Sequence, residues 1–289
     1  MTQSHPANFL RTGSEAFLRV LFGVFLAFVA VALATLGTPV PFAAVTVVMA
    51  LFAAREWHRL VRSPAQRAVA DHQPIQIQTI ITVASIACAV AALVLRVPTA
   101  AFVFLVIGTV AAFVLAKQRD DNPLWHAGGV LYIGLPSAAL VALKALPAQG
   151  TWYILGMFLI VWATDTGALV FGKLIGGKKI APRISPGKTW AGTIGGTITA
   201  VAVFAAYIAF FSFNVAAAIV FAIGLSIVAH LGDLFESWVK RRFGTKDSGG
   251  LIPGHGGVLD RMDSMFAASC VLALLVFGLH LNPLFGGHA

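Results

Sequence analysis

Residues 214–231 read NVAAAIVFAIGLSIVAHL, eighteen residues without one Asp, Glu, Lys or Arg. A run of about 17–25 such residues covers the ~30 Å hydrocarbon core of a bilayer as a helix. A helix suits that core because it satisfies its backbone N–H and C=O groups without water. Eight further stretches of this kind lie roughly over 16–37, 40–54, 77–95, 98–116, 126–143, 152–172, 191–211 and 262–281. The pattern predicts an all-α polytopic membrane protein with about nine transmembrane helices. Composition agrees: 58% of the 289 residues are hydrophobic and 11% charged, whereas a soluble chain is about 25% charged. The first stretch is too long for a cleavable signal peptide and lacks an Ala-x-Ala site before a polar mature chain. Cys88 and Cys270 both sit in apolar runs and read as inert buried thiols.

The net charge of +9 is one-sided. When successive loops are assigned to alternate sides, 18 of the 20 Lys and Arg residues fall on the side of the N-terminus, and only Arg96 and Lys144 on the other. The positive-inside rule then predicts a cytoplasmic N-terminus and an outside C-terminus. The basic excess is explained by topology and phosphate-bearing ligands, with no nucleic-acid partner expected. The chain divides into residues 1–150, about five spans serving as a lipid-facing scaffold, and residues 151–289, about four spans with two polar cytoplasmic loops.

The chemistry is concentrated in that second part. Asp165 lies inside the sixth span, where a carboxylate costs at least ~2.5–3.5 kcal/mol on insertion scales unless a partner or water meets it. It serves either as a structural carboxylate paired to a neighbouring helix or as a metal or ligand group. The next loop, Gly172–Gly192, carries five cations together with glycines and Ser185-Pro186-Gly187-Lys188-Thr189. Lysines act as point charges for phosphates, and glycines and a helix N-terminus bring N–H groups to the same oxygens. The Walker A spacing is not met, because Pro182 stands where its first glycine belongs. Without a ligand, the loop is a positive-inside topology signal.

The third region, residues 231–263, reads LGDLFESWVKRRFGTKDSGGLIPGHGGVLDRMD. Asp233 and Glu236 lie three apart on one face at the end of the eighth span. Asp260 and Asp263 are spaced likewise where the ninth begins. Carboxylates on facing helix ends suit a hard cation such as Mg²⁺, which keeps waters and takes other ligands from substrate phosphates. Between the pairs lie Lys240, Arg241, Arg242 and Lys246. Gly254-His255-Gly256-Gly257 offers backbone for close approach to an anion. The bland alternative is a solvated loop with Asp260 and Asp263 capping the last helix.

This region resembles the signature of the phosphatidate cytidylyltransferases (CDP-diacylglycerol synthases). Ser237, Lys240, Arg241, Lys246, Asp247, Gly249, Ile252, Pro253, His255, Gly256, Gly257, Asp260, Arg261 and Asp263 fill its fixed positions. Asp165-Thr166-Gly167 and Ser185-Pro186-Gly187-Lys188-Thr189 match as well, and Glu56-Trp57 is a weaker echo. The resemblance implies a polytopic helical enzyme, commonly a homodimer, with a cytoplasm-facing polar cavity in a bacterial inner membrane. The implied reaction joins CTP and phosphatidate into CDP-diacylglycerol and pyrophosphate with essential Mg²⁺. It further implies that Asp233 and Asp260 bind metal. On this reading Asp165 and Asp263 complete the metal site, where a monovalent cation such as K⁺ remains an open addition. Lys188, Lys240, Arg241, Lys246 and Arg261 clamp phosphates, Ser185 and Thr189 donate hydrogen bonds, and Gly256 and Gly257 approach the anion. His255 either donates to the leaving pyrophosphate or serves the turn.

Two other classes fit parts of the pattern. A transporter of an anion or lipid also uses intramembrane carboxylates and glycine-broken helices, but usually shows repeated halves. Another CTP-dependent enzyme of lipid phosphates, such as a polyprenol kinase, would use similar groups. A CDP-alcohol phosphotransferase would need Asp-Gly-x-x-Ala-Arg, which is absent.

Overall fold

The computed structural model of the protein describes residues 23–25, 27–71, 75–147, 149–209, 215–249 and 256–280. Among them, eight helices are long and apolar enough to cross a membrane, as an all-α polytopic membrane protein requires. In chain order the elements begin with α1 (Gly23–Leu36), a shorter apolar helix. It is the described part of the first expected span, whose residues 16–22 and 26 lie outside the described residues. Then follow α2 (Pro39–Leu60), the short α3 (Pro64–Asp71), α4 (Ile77–Val94), α5 (Pro98–Gln118), α6 (Pro123–Lys144) and α7 (Gly150–Leu174). A hairpin of β1 (Lys179–Ala181) and β2 (Ser185–Thr189) leads to α8 (Trp190–Ile208), α9 (Val215–Arg242) and α10 (Leu259–Ala273). α10 runs on as a π-helical turn, Leu274–Gly278.

Two helices outrun their apolar stretches. The second span was expected to end at Ala54 because Arg55 and Glu56 follow; α2 continues to Leu60, and Glu56, Trp57 and His58 are buried. The eighth was expected to end at Leu231, yet α9 continues to Arg242. Its extension is supported by a Glu236–Lys240 pair one turn apart and by Lys240, Arg241 and Arg242 in the last turn, where cations favour the helix dipole.

Helix α2 packs on α4 and α6, α5 on α4 and α6, and α10 on α6 and α9. Trp57, Ile133, Tyr153, Met157, Ile160, Phe204 and Leu272 are fully or almost fully buried between helices. Phe102, Val103, Ile107, Val110 and Val114 of α5 face outward, where lipid takes the place of a core. α7 and α8 approach through small residues, as membrane helices do for want of a hydrophobic drive between them. A Cβ on Gly196 would overlap the Thr164 carbonyl, and one on Gly167 would overlap Thr199.

The loops at one end of the bundle are tied by a polar network. Arg62 Nε donates to Asp121 Oδ2 at 2.9 Å and its terminal nitrogen to Gln78 at 3.0 Å. His126 Nε2 lies 3.0 Å from the same Asp121 oxygen. The Nδ1 atoms of His58 and His126 share a hydrogen at 2.8 Å, and His58 Nε2 meets Thr82 Oγ1 at 2.7 Å. Burial acts to raise the pKa of Asp121, in the loop before α6. The opposing interactions with His126, the Asn122 N–H and Arg62 win and hold its carboxyl well below the usual range. A depressed native pKa stabilises the fold above the unfolded value near ~3.9, and that stabilisation is lost as acid protonates the group. Asp121→Asn is therefore expected to cost about 1–3 kcal/mol at pH 7, measured by unfolding in detergent. The difference from wild type should shrink below pH ~4; a gap independent of pH would contradict the charge assignment.

Candidate functional site

The end of α9, from His230 in the last turn of its apolar run onward, places His230, Asp233, Glu236, Ser237 and Lys240 at three- and four-residue steps, along one side of the helix. The helix stops at Gly244, whose φ of 67° suits a residue without a side chain. Gly244 N and Thr245 N bond the carbonyls of Arg241 and Lys240 there. α10 starts opposite. Gly256, also left-handed with φ 82°, leads into it, and Gly257 N donates to Asp260 Oδ2 at 2.9 Å.

Lys240 joins the two helices. Its Nζ lies 2.5 Å from Glu236 Oε2 and 2.7 Å from Asp260 Oδ1, with the Glu236 side chain wholly buried. A second lysine does the same for Asp233: Lys188 Nζ stands 2.6 Å from its Oδ2, and Ser237 Oγ approaches its Oδ1 at 3.4 Å. The hairpin delivers Lys188. β1 and β2 are antiparallel, with Lys179 opposite Thr189 and Ala181 opposite Ser185. Arg241 Nε fastens the hairpin to α9 by donating to the Ile184 carbonyl at 3.1 Å. Thr189 then caps α8, its Oγ1 accepting from Gly192 N at 3.0 Å. The all-helical expectation had no place for this hairpin.

Around these pairs stand the remaining carboxylates. Asp263 is 7% exposed and accepts from Ser264 N at 2.7 Å. It lies within electrostatic reach of Asp233, Glu236 and Asp165. Asp165 is exposed along α7 and senses Asp233, Lys188 and Arg261. The structure thus brings together Asp233, Glu236, Lys240, Asp260, Asp263, Lys188 and Asp165, with Arg261 and Gly256 at the margin. Ser185 stands on β2 opposite Ala181, and among the described residues no contact carries its side chain to them. Arg241 is engaged in tying backbone, and Gly257 N is committed to Asp260. Lys246 is exposed on the loop after α9, and among the described residues no contact carries it to Asp233 or Asp260. His255 lies outside the described residues, as do Ile252 and Pro253.

Two groups escaped the sequence reading, and a third, Glu56, entered it only as a weak echo of the family signature. Glu56 of α2 accepts from the N–H groups of Val258 and Leu259 at 3.1 and 2.8 Å, at the start of α10. The Tyr132 hydroxyl and His230 Nε2 are buried with no hydrogen-bond partner among the described residues. The first senses Asp263, Glu236 and Asp233, and the second Lys188 and Asp233. His230 had a signal available, one turn before Asp233 on the same side. Tyr132 lies far away in sequence and nothing marked it, while the Glu56-Trp57 echo gave Glu56 no role.

The donor set suits a hard cation that keeps waters. Lysine ammoniums already stand as cations against both Asp233 and Asp260. Among the described residues, no three His, Cys, Asp or Glu side chains converge to enclose an ion unaided. The other ligands would come from water and phosphate oxygens.

Residues 17–279 match the model of the cytidylyltransferase family. A phosphatidate cytidylyltransferase of Brucella suis is 46% identical over 175 residues, 59% of this chain and 63% of that protein. One from Staphylococcus aureus is 49% identical over 168 residues, 56% of this chain and 64% of its own. The chain thus aligns with somewhat under two thirds of these relatives' length.

Removing the Lys240 cation leaves the buried Glu236 carboxylate without its counter-charge, the costly way to break a buried pair. Lys240→Met is expected to destabilise the detergent-extracted protein by about 3–5 kcal/mol, and adding Glu236→Leu should restore most of that. Equal unfolding midpoints for wild type and Lys240→Met would contradict the bridge.

Proposed function

The chain belongs to the cytidylyltransferase family, and on that premise we propose that it transfers the cytidylyl group of CTP to phosphatidate, releasing CDP-diacylglycerol and pyrophosphate. The observation that carries this reading is the pair of lysine-countered carboxylates, Asp233 and Asp260, on facing helices at the charged end of the bundle. The names of the relatives supply the substrates.

The nucleophile in this reaction is an oxygen of the lipid phosphate, a monoester already largely ionised near pH 7, so no strong general base is required. It bonds to the α-phosphorus of CTP while the bond from that phosphorus to the β-phosphate oxygen breaks, and the electron pair leaves with pyrophosphate. The protein's work is to hold two polyanions in line and to neutralise the charge that builds on the leaving group. Mg²⁺, held by Asp233 and Asp260 with Asp165 and Asp263 close by, would supply neutralising charge on the phosphate oxygens. Asp165 is also where a second, monovalent cation such as K⁺ would be held. Lys188 and Lys240 turn from their carboxylates toward substrate phosphates, joined by Arg261 and Lys246, and by Arg241 as it leaves the Ile184 carbonyl. Ser185 and Thr189 donate hydroxyl hydrogens; the Thr189 oxygen accepts the cap of α8 and keeps its own O–H for an anion. Gly256, without a side chain, leaves room for phosphate beside Asp260. His255 donates to the departing pyrophosphate.

The 18-to-2 distribution of cations supports a site facing the cytoplasm, where CTP is found, with the chain in a bacterial inner membrane. Partners in this reading are CTP, phosphatidate, membrane lipids and a second copy of the chain, the last resting on resemblance alone. Purified protein with phosphatidate and Mg²⁺ is expected to form CDP-lipid from CTP. Asp233→Asn and Asp260→Asn should each lower that rate by at least about 100-fold, as loss of transition-state charge stabilisation does, while still inserting and extracting as folded protein. Near-wild-type synthesis by either variant would overturn the assignment.

A further inference from the structure

The two carboxylates nearest the start of α10 divide its free donors between them. Asp260 takes Gly257 N at 2.9 Å and Ser248 N at 3.3 Å. Glu56, from a helix two hundred residues earlier, takes Val258 N and Leu259 N at 3.1 and 2.8 Å and meets Ser248 Oγ at 3.3 Å. Glu56 therefore touches the segment between α9 and α10 on both of its described flanks, at Ser248 and at Val258. Its described flanks close onto Glu56: a Cβ on either Gly249 or Gly257 would overlap the Glu56 carboxylate. Its own helix is locked beside it by Trp57, 1% exposed, whose Nε1 donates to the Trp125 carbonyl at 2.9 Å.

We propose that Glu56 is a positioning residue for Asp260: by satisfying the first N–H groups of α10 it leaves Asp260 Oδ1 directed at Lys240 and the cation site. The first N–H groups of any helix need acceptors, and a carboxylate is the strongest acceptor a side chain offers there. Without Glu56, Asp260 is the nearest carboxylate able to serve Val258 and Leu259, and doing so draws it from Lys240. A residue of the first half of the chain, two hundred positions away in sequence, thus sets the aim of a metal-binding carboxylate. The inference rests on the proposed activity only in what Asp260 is aimed at.

The test uses full-length Glu56→Gln and Glu56→Ala in detergent–lipid micelles, read by amide exchange and by Mg²⁺ titration of CDP-lipid synthesis. Gln keeps a single acceptor oxygen and Ala none. Exchange across residues 245–262 is expected to rise at least tenfold for Ala and less for Gln, with α7 and α8 unchanged. The Mg²⁺ concentration for half-maximal rate is expected to rise at least fivefold, which a mere loss of folded protein would not produce. Should Glu56→Ala not extract as folded protein, Ser248→Ala removes only the hydroxyl contact and is expected to raise exchange in the same segment about threefold. Exchange within twofold of wild type in the Glu56 variants overturns the proposal, as does faster exchange with an unchanged Mg²⁺ midpoint. If wild type makes no CDP-lipid, the proposed activity fails, and exchange alone then decides whether Glu56 anchors the loop.

Discussion

Lys240 lies between Glu236 of α9 and Asp260 of α10, and much of the site follows from that bridge. A carboxylate at the end of a membrane-spanning helix is expensive without a partner, and Glu236 is wholly buried. The ammonium stabilises both acids and fixes the distance between the two helices. Lys188 performs the same service for Asp233 from the hairpin. The acidic and basic groups that handle phosphate in the proposed reaction therefore stabilise one another before substrate arrives. Ligand binding becomes an exchange of one set of charge partners for another, which avoids exposing bare charge at the membrane.

The helical spans were largely legible in the sequence because the bilayer imposes long uninterrupted apolar runs. What was not legible is where helices continue after the run ends. Arg55, Glu56 and His58 read locally as loop residues, yet α2 holds them in helix because Glu56 and His58 find partners on α10, α4 and α6. The end of α9 is similar: Asp233 and Glu236 read as one helix face at the end of the eighth span, but Ser237 through Arg242 read as cytoplasmic loop, and the pairing of Glu236 with Lys240 keeps that stretch helical. The hairpin was invisible for another reason. Its strands are three and five residues long, too short for an alternating pattern, and one contains Pro186.

Most of the carboxylates and lysines at the site were legible, since ionised side chains are scarce in this chain and cluster in its second part. Their pairing was less so. Arg241 was read as a phosphate clamp, and the structure shows it bracing the hairpin. Contributions from the first half were mostly hidden, because Glu56 and Tyr132 reach the site only through packing between helices distant in sequence. The Asp121–His126–His58–Thr82 chain is hidden in the same way. It holds the ends of α2, α4 and α6 together, and so supports the helix that presents Glu56.

The central claim concerns which phosphorus of CTP reaches the lipid. Purified wild-type protein given phosphatidate, Mg²⁺ and CTP labelled either at the α- or at the γ-phosphate would answer it. The account predicts α-label in the lipid phase and γ-label in pyrophosphate. Label from the γ-position in lipid would mark a kinase, and release of label without any lipid product would mark hydrolysis; either result would contradict it.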